Sequence, residues 1–253
     1  DLHLDNLIKK MPNYYYDGSF DGLLTVIFIA YKDRKNNELR IIVKTGQLLL
    51  GLDDINVITN FSKARRVEKA ICDKLSQNFL NNIQTCFLSC DKNKDIVIVH
   101  TVYKALKQGK EILNSLDEHA FYVNKLVKQV LNERHRYLGV LRFKEVKDGT
   151  MFSTIEPKNN VLPILLSHFI NRMKREKFAI YDKKRKIIAY YDTKKVEIFF
   201  VKSLEIEWSD EEIEYSELWK TFHKSISIKE RENKKLQQSN LPKYYWKHLI
   251  EDM

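Results

Sequence analysis

Residues 132–143 carry the side chains of this chain that are best suited to chemistry. The charged and imidazole-bearing ones that stand together are Glu133, Arg134, His135 and Arg136. The apolar residues around them recur at helical spacing, which predicts that Arg134 falls near the centre of an apolar stripe. A guanidinium stays charged at ordinary pH, so a buried arginine needs a carboxylate, a phosphate or carbonyl groups as partners. The segment therefore indicates either an ion-pair network of the core or a site for an anionic ligand.

A second pair of donors lies on a helix predicted over Leu162–Met173. His168 and Arg172 are four residues apart, so they share one flank of that helix, beside its apolar stripe. Paired donors at the edge of a core are suited to a phosphate or a carboxylate ligand. The alternative is a surface pair that covers the neighbouring sheet.

Two basic segments could bind a nucleic-acid backbone. Arg65 and Arg66 lie near the start of a helix predicted from Ser62 to about Ser76, where free backbone N–H groups attract phosphate. Arg185 belongs to a basic turn between two predicted strands, which could follow phosphates without reading the base sequence. Either segment could instead be a solvated basic surface, and a basic turn also protects the edge of a sheet.

Proton transfer has three candidate groups, which are Asp17, His135 and His168. A cleft that brought them together would indicate an enzyme. Asp17 or Glu133 could instead orient an arginine. Glu133 and His135 point about 200° apart around a helix, so we do not expect these two to act together.

Motifs for common metals and cofactors are not found in the sequence. It has no H-E-x-x-H zinc motif, no G-x-x-x-x-G-K-[ST] phosphate loop and no G-x-G-x-x-G dinucleotide motif. Cys86 and Cys90 are spaced as C-x₃-C, but Asn93 stands where a radical-SAM cluster motif needs its third cysteine. We therefore expect free thiols, and neither a resident metal nor a cofactor.

The net charge of +10 favours a polyanionic partner, with nucleic acid before an anionic membrane. A basic protein with a well-solvated surface would have the same charge. Seven acidic residues lie between Ser203 and Trp219, with no Lys or Arg among them. This segment could face a basic partner or the chain's own basic surface.

Localisation can be predicted from what the sequence lacks. It has no run of about 18 apolar residues that could span a membrane, and its first residues show no signal-peptide pattern. Three cysteines are an odd number and do not suggest a disulfide framework. We expect a cytoplasmic protein that is not a membrane protein.

The pattern of elements predicts an α+β fold. Residues 1–140 are expected to be mainly helical, with a helix over Phe20–Arg34 and a long helix over about Glu118–Val140. Residues 141–202 predict a small antiparallel sheet with one helix, in the order β-β-α-β-β-β. Residues 203–253 predict C-terminal helices that pack back, so that the three parts form one compact unit.

Blocks spread over nearly the whole chain resemble, in the same order, a bacterial family described as DNA metabolism proteins. The blocks are Tyr15–Leu24, Ala64–Val67, Glu133–Gly139, Ser167–Phe169, Asp182–Arg185 and the tail from Ile228 to Trp246. The core of that family is a domain of unknown function, which also occurs fused to uracil-DNA-glycosylase-like domains. Its stand-alone form is paired with a radical-SAM protein of DNA repair or modification.

The resemblance implies a role in DNA repair or modification beside an iron–sulfur partner protein, and it supplies no settled set of catalytic residues. Our leading hypothesis is a DNA-associated accessory protein that acts with this radical-SAM partner. Its expected anion-binding residues are Arg65, Arg66, Arg134, His135, Arg136, His168, Arg172 and Arg185. One alternative is an enzyme that acts on a nucleotide or a DNA lesion by acid–base chemistry. The other is a structural or interaction protein that does not contact nucleic acid.

Overall fold

The chain is described by a computed structural model over residues 13–33, 39–43, 54–202, 204–226 and 234–249. It divides into two compact units, Asp1–Val130 and Leu131–Met253, which we call unit 1 and unit 2. The boundary falls inside a long helix, Glu118–Val140. Among the described residues, no helix is both long enough and apolar enough to cross a membrane.

Unit 1 combines a small parallel sheet with several helices. Its strands are β1 (Asn13–Tyr16), β2 (Arg40–Val43) and β3 (Ile55–Asn56), which pair in the order β2-β1-β3. Its helices are α1 (Phe20–Ile29), α2 (Phe61–Lys74), α3 (Gln77–Phe87), α4 (Lys94–Gln108) and the first part of α5 (Glu118–Val140). Short 3₁₀ turns follow α1 at Ala30–Asp33 and α4 at Lys110–Asn114.

Helix α1 is the central helix of unit 1. The side chain of Ser19 caps it by accepting a hydrogen bond from the backbone N–H of Gly22 at 2.9 Å. Six consecutive residues, Gly22–Ile27, are buried, because apolar side chains occupy most of the helix circumference. The helix ends earlier than the predicted Arg34, since its last turn tightens to 3₁₀ geometry, as helix ends often do.

Unit 2 is built on a five-stranded sheet. Its elements are the end of α5, β4 (Lys144–Glu145), β5 (Met151–Ile155), α6 (Leu162–Arg172), β6 (Phe178–Asp182), β7 (Ile187–Tyr191), β8 (Val196–Phe200), α7 (Asp210–Ile226) and α8 (Lys234–Asn240), followed by a 3₁₀ turn at Lys243–His248. The strands lie in the order β4-β5-β6-β7-β8.

The predicted α+β class is confirmed, whereas the prediction of a fully antiparallel sheet is wrong. Strands β5 and β6 pair in parallel, and the other neighbours pair antiparallel. The reason is the connection between β5 and β6. Helix α6 carries the chain back to the edge from which β5 started, and such a crossover makes consecutive strands parallel.

Candidate functional site

The exposed face at the start of α2 is the best candidate for an anion-binding surface in unit 1. Asn60 caps this helix, and its side-chain oxygen accepts a hydrogen bond from the backbone N–H of Lys63 at 3.0 Å. A shallow cavity of about 390 Å³ lies on the first turns of the helix. It is lined by Phe61, Ser62, Arg65, Arg66 and Lys69. We call these five residues the α2 basic surface.

The cations of the α2 basic surface are available to a ligand. Arg65, Arg66 and Lys69 are exposed, and none of the three forms an ion pair with any residue that the structure describes. The Arg66 guanidinium stacks over the ring of Phe28, with its carbon 5.0 Å from the ring centroid. Phe61 is 64% exposed beside these cations. An exposed aromatic ring among unpaired cations is suited to a nucleic acid, which offers both phosphates and flat bases.

Asp17 has a structural role in unit 1. Its carboxylate accepts hydrogen bonds from the backbone N–H and hydroxyl of Ser19, and from the hydroxyl of Thr59 at 2.7 Å. Burial by itself would raise the pKa of Asp17, but these hydrogen bonds hold it below its ordinary value. The carboxylate therefore ties the turn before α1 to the segment before α2. The hydrogen-bond donors to Asp17 are Ser19 and Thr59, so this geometry does not support the expectation that Asp17 orients an arginine.

The buried centre of the α5 stripe in unit 2 belongs to Glu133, so the prediction that Arg134 lies there is wrong. Glu133 is 5% exposed, whereas Arg134 is only half-buried. The Glu133 carboxylate accepts hydrogen bonds from the backbone N–H of Lys158 at 2.7 Å and from the backbone and side-chain N–H groups of Asn159 at 2.8 and 2.7 Å. Three donors compensate the cost of burying the carboxylate.

Arg134 and Arg185 are both bound to atoms of unit 2. The Nε of Arg134 donates to the carbonyl of Ile164 at 2.9 Å. The Arg185 guanidinium pairs with the fully buried Asp182 at 2.8 Å and donates to the carbonyl groups of Pro157 and Lys158. Arg134 therefore binds the first turns of α6, and Arg185 stabilises the segment that joins β5 to α6. Both match the core-architecture alternative better than the anion-binding one.

Residues 156–160 form the segment, between β5 and α6, on which the contacts of Glu133 and Arg185 converge. The hydroxyl of Tyr137 accepts a hydrogen bond from the backbone N–H of Glu156 at 3.2 Å, and the hydroxyl of Tyr244 donates to the carbonyl of the same residue. The ring of Tyr245 packs edge-on against Tyr137, with centroids 5.2 Å apart. The sequence blocks around Glu133, Asp182 and Tyr244 thus meet at one loop, as parts of one supporting structure.

The remaining candidates of unit 2 lie nearer the surface. Arg136 is exposed and its guanidinium stands 5.9 Å from the ring centroid of Tyr245. His135 and Arg172 are exposed, and the half-buried His168 meets the ring of Phe169 edge-on at 5.1 Å. No contact joins His135 to His168 among the residues that the structure describes. The acid–base enzyme alternative therefore stays a prediction.

A cluster of titratable side chains in unit 1 is not among the sequence-based candidates. The rings of His100 and His119 lie 4.7 Å apart, and the Lys104 ammonium bridges Asp117 at 2.5 Å and Nδ1 of His119 at 3.3 Å. Burial lowers the pKa of His100 to about 4, helped by the nearby His119 and Lys104. The sequence signal that could have indicated this cluster is the i, i+4 spacing of His100 and Lys104, which places them on one face of α4.

The cysteines and the acidic segment also have defined surroundings. Cys86 is buried, and desolvation raises the pKa of its thiol to about 12, whereas Cys90 is exposed. Among the described residues, no group of three or more His, Cys, Asp or Glu side chains could hold a metal ion. Two acidic side chains of the segment 203–219 bind other residues of unit 2. Glu207 pairs with Lys147 at 2.8 Å, and Glu212 accepts from the backbone N–H of Glu145.

Comparisons with known proteins include a family match and a distant structural likeness. The family described as a domain of unknown function, DUF4130, matches residues 92–251. No curated protein matches the chain. A solved structure described as the DHH domain of a member of a family of ribosomal proteins is similar, with 15% sequence identity and a TM-score of 0.25. The match covers 70% of this chain and 55% of the length of that structure.

Proposed function

The chain belongs to the DUF4130 family, and we propose that it is a DNA-associated accessory protein of DNA repair or modification that acts with a radical-SAM partner. The observation that carries the DNA-binding part is the α2 basic surface. Its three cations are exposed and form no ion pair among the described residues. Such cations gain free energy by replacing the counterions of a phosphate backbone.

The distribution of the other predicted cations supports this assignment to α2. Arg134 and Arg185 donate to carbonyl groups and to a buried carboxylate inside unit 2. Part of the hydrogen-bonding capacity of each guanidinium is therefore already used inside the protein. Arg65 and Arg66 have no such partners to lose, so they bind a phosphate at a smaller cost.

The partner protein also needs a surface, and β8 is the candidate. This strand lies at the edge of the five-stranded sheet, where it pairs with β7 on one side. Three of its apolar side chains, Ile198, Phe199 and Phe200, are exposed, and Phe200 is 85% exposed. An edge strand with exposed apolar side chains is a template for strand addition by another protein. Together with the family resemblance, this supports direct contact with a protein partner.

The DNA-binding part is tested by removing the two arginines of the α2 basic surface. We expect Arg65→Gln combined with Arg66→Gln to weaken binding of duplex DNA about tenfold or more, because two phosphate contacts are lost, and to reduce the slope of log affinity against log salt by about 2. The matched control is Lys107→Gln combined with Lys110→Gln, which removes the same charge from exposed positions in the same unit. Equal affinities of the two double variants would contradict the assignment to α2.

The partner is tested by purifying the native protein from cell extract with and without nuclease. A radical-SAM iron–sulfur protein that co-purifies in both cases supports a direct complex. Its loss on nuclease treatment would mean that DNA bridges the two proteins, and its absence in both cases would contradict the partner. Phe200→Lys should abolish a direct complex, whereas Tyr215→Lys, at a 70% exposed position on α7, should leave it intact.

A further inference from the structure

A groove of about 690 Å³ in unit 2 has a lining unlike that of the α2 basic surface. It lies between the end of α5, the end of α6 and one face of α7. The lining side chains that matter here are Arg142, Phe143, Phe169, Arg172, Glu176 and Trp219. Its volume is within the range of about 300–1,000 Å³ found for small-ligand sites in proteins.

The floor and one wall of the groove are aromatic. Phe143 and Phe169 pack edge-on with ring centroids 5.2 Å apart, and Phe169 is almost fully buried. Trp219, on α7, packs against the ring of Phe222 with centroids 5.9 Å apart, and its remaining 43% exposed surface lines the groove. Beside it Gly139 leaves open space, since an added Cβ atom there would meet nothing within 4 Å. A flat ring can therefore enter and stack on an indole face.

The polar groups of the groove are two cations and one carboxylate. The Arg142 guanidinium is held in place by donating to the carbonyl groups of Gly139 at 2.9 Å and Leu141 at 3.4 Å. Arg172 is exposed and makes no ion pair with a described residue. Glu176 adds a hydrogen-bond acceptor. An aromatic wall, a free guanidinium and an acceptor suit a ligand that has a flat heterocycle, an amino group and an anionic group.

We propose that this groove binds one unpaired nucleotide of a DNA strand, with the base against Trp219 and its phosphate at Arg172. A duplex cannot use the groove in this way, because its bases are stacked on one another and only an unpaired base offers its face. The inference rests on the proposed function, since it takes DNA as the ligand, and it adds which form of DNA is bound and where.

The experiment compares a single-stranded oligonucleotide with a duplex of the same sequence. Trp219→Ala should weaken single-strand binding about tenfold and leave duplex binding unchanged, because stacking on an aromatic side chain contributes to each bound base. Tyr215→Ala is the matched control, since it removes an exposed aromatic ring from the same helix outside the groove. Trp219 is partly exposed, so the variant is expected to fold, which its thermal melting curve checks.

A second variant tests the cation independently of the ring. Arg172→Gln should weaken single-strand binding, whereas Arg175→Gln, an exposed arginine outside the groove lining, should not. Unchanged single-strand affinity in both Trp219→Ala and Arg172→Gln would overturn the proposed groove while duplex binding still supported the proposed function. Wild-type protein that bound neither form of DNA would overturn both. Binding of deoxyadenosine monophosphate without binding of the oligonucleotide would overturn the assignment to a strand.

Discussion

Glu133 stabilises unit 2 through the three hydrogen bonds that it accepts from Lys158 and Asn159. Both of its carboxylate oxygens are acceptors, and each faces at least one N–H group. A glutamine has the same shape but replaces one oxygen with a donor. The site therefore distinguishes the two side chains by charge and by hydrogen-bond polarity.

We expect Glu133→Gln to lower the free energy of unfolding by about 2 kcal/mol, because an N–H donor would then face another donor in a buried site. The measurement is chemical denaturation of the wild-type and variant proteins. Glu118→Gln, an exposed position on the same helix, should change the value by less than about 0.5 kcal/mol. Equal losses in the two variants would contradict the role given to Glu133.

His100 makes the stability of unit 1 depend on pH. Its pKa of about 4 in the folded protein is below the ordinary value of 6.5, so the fold favours the neutral imidazole. The contribution of neutral His100 to the free energy of unfolding is present in full above pH 6.5. It is lost as the pH falls from 6.5 towards about 4. Among the groups that face it, His119 and Lys104 lower this pKa further and Asp117 raises it.

We expect His100→Phe to remove part of this pH dependence, because phenylalanine retains a ring but does not titrate. Between about pH 7 and about pH 5, wild-type protein should lose about 1–2 kcal/mol more unfolding free energy than the variant. Denaturant unfolding at the two pH values measures this. The control is His135→Gln, at an exposed position, which should follow the wild type. If the His100→Phe protein lost as much unfolding free energy between these pH values as the wild type and the His135→Gln control, the effect of His100 would be ruled out.

At the scale of elements, two helical glycines have opposite surroundings. A Cβ atom at Gly22, in α1, would lie 2.2 Å from Oδ1 of Asp17 and 2.9 Å from the hydroxyl of Ser19. Asp17 cannot move away without losing its bonds to Ser19 and Thr59. A Cβ atom at Gly139, in α5, would meet nothing within 4 Å. The start of α1 thus requires glycine, and the end of α5 does not.

The same substitution should therefore change stability in opposite directions at these two positions. We expect Gly22→Ala to lower the unfolding free energy by about 2 kcal/mol or more, because the capping turn must open. Gly139→Ala should raise it by up to about 0.5 kcal/mol, because alanine loses less backbone entropy in a helix. Thermal melting of the two variants beside the wild type tests the direction of both changes in unfolding free energy. A Gly22→Ala protein as stable as the wild type would contradict this account of the turn.

At the scale of the whole molecule, the position of a charge matters more than the sum of +10. Arg185 is already paired inside unit 2, and part of the acidic segment binds the same unit through Glu207 and Glu212. The charges of the α2 basic surface remain available to an external ligand. We therefore expect the salt dependence of DNA binding to reflect a few phosphate contacts and not the net charge.

With three such contacts, duplex affinity should fall about 40-fold between ~50 mM and ~200 mM salt, since each neutralised phosphate releases part of a condensed counterion. Equilibrium binding measured by fluorescence anisotropy over this range gives the slope directly. Equal affinity at both salt concentrations would contradict phosphate binding altogether. A slope that corresponded to many more contacts would show that the α2 basic surface is only part of the interface.

Local sequence patterns by themselves determined the helices that carry the candidate residues. The predicted long helix over about Glu118–Val140 coincides with α5, and α2 and α6 begin within one residue of their predicted starts. Apolar spacing and turn residues act over a few neighbouring positions, so a single sequence contains them in full. The basic character of α2 was equally visible.

Only the tertiary structure decided which charged groups are already paired. Glu133 can be buried because its donors come from residues 25 and 26 positions further along the chain, and Arg185 meets carbonyl groups 27 and 28 positions before it. No local pattern contains such pairs. The parallel pairing of β5 with β6 is likewise a property of the folded chain. The cost of burying a charge depends on its partners in space, and for this reason the fold separates supporting arginines from those available to a ligand.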